Sequence, residues 1–313
     1  MATRPRQMRK PNIEEKIVKA VQFEEHGGPE VVQILEVEEP HAGPGQVRIK
    51  VRAAAVNPAD YKTRAGVRKV DLPSGLGFEA SGVVDEVGEG VSDVTVGDPV
   101  FGKGPNTFAE YALLHAWARK PEAMSFEEAA ATGSAAETAI RILDLVGVKR
   151  GQTLLVSGAA GGVGTAVVQL ARRRGITVIG TATEGKHGYL RSIGAIPTTY
   201  GPGLVERVRA LAPEGVDAAF DLIGSGVIPE LVELTGDPKK VLTILLSQAD
   251  KGTLSTYEEQ ENPGQAMAEA AKAFEEGAFR MRLDRTFPFD QVGEATRVVS
   301  EGRTMGKLVV LVS

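Results

Sequence analysis

The sequence contains no cysteine and only four histidines, His26, His41, His115 and His187, none close to another in the chain. The first absence removes disulfides, thiolate nucleophiles, cysteine-ligated zinc and iron–sulfur clusters together. The second removes the close spacing that a histidine-based metal site normally shows, so no metal is expected. Aromatic residues make up only 5% of the chain, and no apolar run approaches the roughly 20 residues needed to cross a bilayer. The run VLTILL at 241–246 suits a buried strand instead. Positive charge is not in excess: 36 Lys and Arg against 41 Asp and Glu give a formal charge of −5, so there is no global field to draw in nucleic acid or an anionic membrane. The start, MATRPRQMRKPNIEEK, is basic but lacks the apolar core of a secretory signal. It reads as a mobile arm on a cytoplasmic protein, with a transit peptide as the alternative.

What is present is a globular composition, 42% hydrophobic and 25% charged over 313 residues, a length that suits about two domains. Glycine is abundant, at 37 residues, and it punctuates short runs rich in β-branched side chains. IVKAVQF, VVQILEVEE, QVRIKVRAAAV, ASGVVDEVG and GDPVFG predict a mostly β, barrel-like region. FEEAAATGSAAETAIRILDL then predicts a helix or helix pair leading out of it. Beyond it, strand and helix patterns alternate from TLLVSGA to KKVLTILL, the signature of a parallel sheet with helices on both faces. AMAEAAKAFEEGAF predicts an amphipathic helix, and the pieces RTFPF, DQVGEATRVVSEG and GKLVVLV exceed what a finished six-stranded sheet can absorb. The expected organisation is an α/β chain: an arm at 1–16, a β domain from 17–136 and 277–313, and a doubly wound Rossmann domain, 137–276, inserted within it.

The sharpest chemical signal is TLLVSGAAGGVG at 153–164, an apolar strand entering a Gly/Ala turn and then the helical pattern TAVVQLARRRG. Positions 159, 161 and 164 fit G-x-G-x-x-G with Ala159 in the first place. Gly161 lets the backbone approach a pyrophosphate, Gly164 lets the helix pack closely on the strand, and Ala160, Gly161, Gly162 and Val163 place N–H groups at the helix start facing an anion. An NAD site normally presents an acid about 20 residues further on. Here that count lands on Thr181-Ala182-Thr183, with Lys186 three residues later. Thr183 and Lys186 suit a 2′-phosphate, so NADPH is expected; Glu184 turned inward, serving as a ribose acid, is the alternative.

These residues resemble the medium-chain dehydrogenase/reductases, and within them the zinc-independent quinone oxidoreductases. The resemblance runs from about Lys19 to Val312 through AVQFEEHGGPEV, AAAVNPADYKTRAG, LPSGLGFEASGVVDEVGEGV, VGDPVFG, FAEYALL, SGAAGGVGTAVVQLA, VIGTATEGKHGYLRSIGA, VDAAFDLIG and GKLVVLV. It implies a GroES-like catalytic domain around the Rossmann unit. Where zinc members of the family carry their first Cys ligand, this chain has Asn57, and where they have Gly-His-Glu it has Gly77-Phe78-Glu79. The four-Cys structural lobe is missing as well, so a zinc-dependent alcohol oxidation is not expected, since catalytic zinc takes three protein ligands.

The resemblance implies that Asn57 lies beside the nicotinamide, its amide donating to a carbonyl, although an Asn before Pro58 also serves as an ordinary turn residue. Asp60 reads first as a helix cap. Tyr61 is a candidate substrate or cofactor contact, although many quinone oxidoreductases place that Tyr where this chain has Thr63. Thr138 resembles the family's nicotinamide-facing Thr, with a buried helix Thr as the equal alternative. Tyr200 resembles a position near the adenosine phosphate, or is simply a strand-end aromatic. Leu245 and Leu246 resemble positions that offer backbone groups to the nicotinamide amide, and Lys307 is a further possible contact. The activity so implied is hydride transfer to a quinone, enone or enal, whose charge spreads to oxygen without a Lewis acid. Alternatives are an enoyl-thioester reductase and a cofactor-binding protein with little turnover. A homodimer is also implied, paired through an edge strand containing residues 241–246.

Overall fold

The computed structural model describes residues 16–245, 252–255 and 262–312. Strand β1 (Ile17–Phe23) pairs antiparallel with β2 (Gln33–Glu38). β3 (Val47–Val56) is the spine of the first region, and its end runs directly into helix α1 (Pro58–Arg64). Pro58 favours that start, because its fixed φ suits a first helical turn and its missing N–H costs nothing there. β4 (Ser74–Gly75) closes on β1. β5 (Glu79–Val87), β6 (Pro99–Lys103), β7 (Tyr111–Leu114) and β8 (Ala116–Arg119) follow. β5 and β7 flank β3, β6 joins β5 and β8 joins β6, all antiparallel. Phe23, Ile49, Leu76, Phe108 and Leu114 are fully buried between these strands and form their core.

Helix α2 (Phe126–Val146) is one continuous element rather than a pair. The Ser125 hydroxyl caps its start, accepting from the Glu128 N–H at 3.1 Å, and Gly147 ends it in a left-handed conformation at φ 70°. Its buried face is Ala129, Ala130, Ala131, Ala135, Ala136 and Ala139. Small side chains let the helix lie close to the β region on one side and to the following helix on the other.

The second sheet is wholly parallel. Its strands are β9 (Thr153–Ser157), β10 (Thr177–Thr181), β11 (Ile196–Thr198), β12 (Ala218–Asp221), β13 (Val241–Thr243) and β14 (Leu254–Ser255), in the order β11-β10-β9-β12-β13-β14. That is the doubly wound 3-2-1-4-5-6 order, with a crevice between β9 and β12 where the winding reverses. Helices α3 (Gly162–Arg173), α4 (His187–Ser192), α5 (Leu204–Leu211) and α6 (Ile228–Thr235) connect them. β13 is not the edge strand the sequence suggested: β14 lies outside it, with Leu242 opposite Leu254. Two residues of strand are too few to show an alternating pattern, so β14 left no signal.

After helix α7 (Pro263–Glu275) the chain returns to the first region. β15 (Leu283–Pro288) runs parallel to β16 (Lys307–Leu311), helix α8 (Val292–Ser300) connects the two, and β16 pairs antiparallel with β3, Leu308 facing Val56. The Rossmann sheet is thus an excursion within the β3 sheet. Among the described residues no helix is long and apolar enough to cross a membrane.

Candidate functional site

The turn from β9 to α3 is built from glycines with distinct tasks. Gly158 holds φ at 86°, the left-handed conformation that lets the strand reverse into the helix, so the tight-turn role falls to Gly158 and not to position 159. Ala159 fits where it stands because Gly180 on β10 makes room: a Cβ at 180 would come within 2.6 Å of the Ala159 methyl. Gly164 has no such latitude. A Cβ there would meet the Gly158 carbonyl oxygen at 2.3 Å and Ala159 Cα at 2.6 Å, both backbone. The helix therefore lies against the strand, and the first N–H groups of such a helix have no intrahelical partner. A side chain at Gly161 would find nothing closer than the Gly158 carbonyl oxygen at 3.5 Å, so the backbone can be approached closely at this position.

The facing wall is polar, with Glu79 and Lys307 buried and Asn57 half-buried. Lys307, the first residue of β16, directs its ammonium to Asn57 Oδ1 and Glu79 Oε1, each at 2.6 Å. Asn57 Nδ2 donates to the same Glu79 oxygen at 2.8 Å, and the Ser134 N–H of α2 donates to Glu79 Oε2 at 2.6 Å. The amide orientation of Asn57 follows from its neighbours, since its oxygen must face the ammonium and its NH2 the carboxylate. Its second amide proton reaches only a 3.5 Å contact with the Ala55 carbonyl. Gly133 keeps α2 close here, because a Cβ at that position would sit 3.1 Å from Glu79 Oε2. Asp60 reaches back to the Asn57 N–H at 2.7 Å and accepts the Gly77 N–H at 2.9 Å, fixing both ends of the segment that carries Asn57 and Glu79. Burial pushes its carboxyl up to about 7, against the opposing pull of those two N–H groups and Lys307.

The two walls meet at one point. The stem of Lys307 lies across the first turn of α3, so a Cβ on Gly162 would come within 2.6 Å of Lys307 Cδ. Just before it, the Gly306 N–H donates to the Ala160 carbonyl at 2.9 Å, and Gly306 forms a bridge with Gly161. Gly306 itself needs φ 86° and has the Arg282 carbonyl oxygen 2.2 Å from where a Cβ would be.

The other expected residues distribute around this junction. Ala160 is buried, and Gly161, Gly162 and Val163 are half-buried in the turn. Thr138 lies half-buried on α2 with only long contacts, 3.4 Å to Glu137 and 3.5 Å from Arg141. Tyr61 packs on the β core. Thr183 is exposed, and Glu184 stands exposed in the short turn Glu184–Lys186. The Lys186 ammonium donates to the carbonyls of Arg303, at 2.7 Å, and Thr304, at 3.2 Å. Tyr200 is 53% exposed after β11. Leu245 is half-buried, its N–H on Thr243 Oγ1 at 3.1 Å; Leu246 lies outside the described residues.

Sequence reasoning missed the ionic cluster next to Thr138: Glu137, fully buried, takes Lys103 Nζ at 3.2 Å and Arg141 Nε at 2.7 Å. The one-turn spacing of Glu137 and Arg141 was visible; the approach of Lys103 from β6 was not. Glu79 stands out in the sequence only for the Phe78 before it. Among the described residues no three His, Cys, Asp or Glu side chains are placed to share a metal ion. Phe78 has no ligand atom, Asn57 is a weak zinc ligand, and the Glu79 carboxylate already accepts from three donors, so these residues do not fit a catalytic zinc.

Comparison with known proteins agrees with this geometry. Residues 43–140 match the alcohol dehydrogenase GroES-like domain model, and residues 199–310 match the zinc-binding dehydrogenase model. The 2-methylene-furan-3-one reductase of Solanum lycopersicum is 32% identical over 94% of this chain and 79% of its own. The quinone oxidoreductase of Coxiella burnetii superposes with a TM-score of 0.83 at 31% identity, covering 95% of this chain and all of that one. A mycobacterial protein solved in complex with NADPH superposes at 0.85 with 27% identity, over 94% of this chain and 100% of the other. Two domain models in family order, relatives spanning nearly the full length and a glycine turn packed against the returning last strand lead to one assignment: the chain belongs to the medium-chain dehydrogenase/reductase family, with quinone oxidoreductases and an enone reductase among its relatives.

Proposed function

We propose that this chain is an NADPH-dependent, zinc-independent reductase of quinones or activated alkenes such as enones and enals. The observation that carries the reading is the contact at Gly162, where an open helix N-terminus meets the Lys307, Asn57 and Glu79 cluster. The residues fit a dinucleotide: a glycine turn open to close approach, a helix start whose first amides lack intrahelical partners and a largely buried polar wall beyond. Bound reduced nicotinamide supplies the two electrons as a hydride. The amides at the start of α3 hold the diphosphate, and Thr138 and Leu245 border the ring. Thr183 and Lys186 receive the 2′-phosphate, with Tyr200 beside the adenosine.

Asn57, held by Lys307 and Glu79, offers its remaining amide proton to the acceptor's carbonyl oxygen, where negative charge gathers as the carbon is reduced. Tyr61 borders the acceptor. Water returns the proton, so a quinone leaves as hydroquinone and an enone as the saturated ketone. The division into 17–136 with 277–313 and 137–276 is supported by the pairing of β16 with β3, while the arm expected at 1–16 lies, apart from Lys16, outside the described residues. A homodimer formed through the Rossmann sheet uses the β14 edge, since β13 is covered by it; sedimentation of a Leu254→Lys variant as a monomer is the expected result.

The test is consumption of NADPH and NADH against quinones, enones, enals and enoyl thioesters, with metal analysis of the same sample. NADPH oxidation by quinones or enones without stoichiometric zinc supports the reading. Turnover confined to thioesters, no turnover across the panel, or activity that tracks a bound zinc overturns it.

A further inference from the structure

We infer that Arg68, held over the ring of Phe78, the residue before Glu79, selects acceptors that carry a carboxylate away from the carbon that is reduced. The inference deepens the reductase reading above and rests on it. Phe78 is half-buried, yet among the described residues it packs on none of the three apolar cores. Its backbone is pinned on both sides, by Asp60 at the Gly77 N–H and by the Asn57 and Lys307 bonds to Glu79. The ring carries the Arg68 guanidinium, 4.9 Å from its centroid. An aromatic face attracts a guanidinium through its π cloud and leaves the N–H edge of the fork free for an anion.

Arg68 is exposed, but its backbone is tied down. Its N–H donates to the Lys62 carbonyl at 3.0 Å, and the Ala65 and Gly66 N–H groups donate to Tyr61 and Thr63 at 2.9 and 3.1 Å, so the segment folds back on α1. That segment is of one sign. Lys62, Arg64, Arg68 and Lys69 stand in eight residues with no acid among them, in a chain of net charge −5. None of the four forms an ion pair among the described residues. Arg64 is 5% exposed, its one hydrogen bond goes to the Gly27 carbonyl at 3.0 Å, and its Nε has no partner. The charge of Glu30 is felt at Arg64, but the Glu30 carboxylate accepts from the Gly28 N–H at 2.9 Å and forms no ion pair among the described residues. A positive strip on the helix whose N-cap is Asn57 favours a negatively charged acceptor over a neutral one of the same shape. A carboxylate meets a guanidinium through two parallel hydrogen bonds, so it is the group that the fork on Phe78 fits. With its carboxylate at Arg68 and its carbonyl at the remaining Asn57 amide proton, such an acceptor is held at two points.

The experiment measures kcat/KM of the full chain with NADPH for two matched pairs: a naphthoquinone bearing a propanoate side chain against its methyl ester, and an enone with a terminal carboxylate against its methyl ester. The wild type is expected to favour each acid by about tenfold or more, the difference lying in KM and shrinking as salt is added. In R68A the acid-over-ester ratio is expected to fall to about one, and R68K, which keeps the charge and loses the fork, is expected to retain part of it. Thermal melts of both variants check folding. Equal wild-type kcat/KM for acid and ester, or a ratio in the folded variants that matches the wild type, overturns the inference and leaves the reductase reading standing. No oxidation of NADPH by any of these compounds overturns both.

Discussion

Replacing Lys307 by methionine removes the ammonium but keeps most of the stem that covers Gly162. Lys307 and Glu79 have side-chain exposures of 6% and 0% and approach to 2.6 Å, so neither charge is screened by water. Without Lys307 the Glu79 carboxylate keeps only two neutral donors, Asn57 Nδ2 and the Ser134 N–H. Breaking a buried ion pair from one side costs about 3–5 kcal/mol, because the remaining charge stays desolvated. E79Q strands the ammonium in the same way, while E79Q/K307M leaves no charge and recovers most of the loss. The expected coupling between the two sites is about 2 kcal/mol or more. Urea unfolding measures it, followed by the fluorescence of Trp117 and by circular dichroism, with coincident curves as the condition for a two-state analysis. A K307M variant that loses less than about 1 kcal/mol, or a double variant whose loss is the sum of the singles, refutes the account of this wall as a buried ionic cluster.

Further outcomes follow from the same geometry. Gly164→Ala drives a methyl into the Gly158 and Ala159 backbone, and is expected to cost about 1–3 kcal/mol and abolish dinucleotide binding; an unchanged melt and affinity contradict it. Asp60, with its folded pKa raised to about 7 from an unfolded value near 4, keeps a proton that the unfolded chain has lost, so its contribution to stability falls as pH rises between those values. D60N should flatten the pH dependence of unfolding in that window by about one proton, and an unaltered slope rules the assignment out. Asn57→Ala is expected to lower kcat at least about tenfold while leaving NADPH affinity within about threefold; unchanged turnover removes Asn57 from the chemistry.

Parts of this site could be read from spacing because their physics is local. Gly161 and Gly164 belong to a turn whose requirements span a few residues, and the alternating strands and helices after residue 150 carry their own periodicity. The left-handed turn at Gly158 carries no signal in that spacing, and an alanine at 159 looks like a lapse until Gly180 is seen across the sheet making space for it. Lys307 lies 250 residues from Asn57 and 228 from Glu79, and no pattern along a chain reports such a meeting. Whether α2 is one helix or two stayed open in the sequence for a related reason. Gly133 and Ser134 look like a helix break, but they are small where Glu79 approaches, and the Ser134 N–H is one of its donors.

The order in which the ribosome delivers these pieces matters. All six strands of the parallel sheet have been synthesised by residue 255, whereas Gly306 and Lys307 come within the last eight positions of this sequence. A nascent or prematurely ended product can therefore own all the strands of the sheet and an empty promise of a site, since the Gly306–Lys307 strap that braces the glycine bend and locks Asn57 emerges only after them.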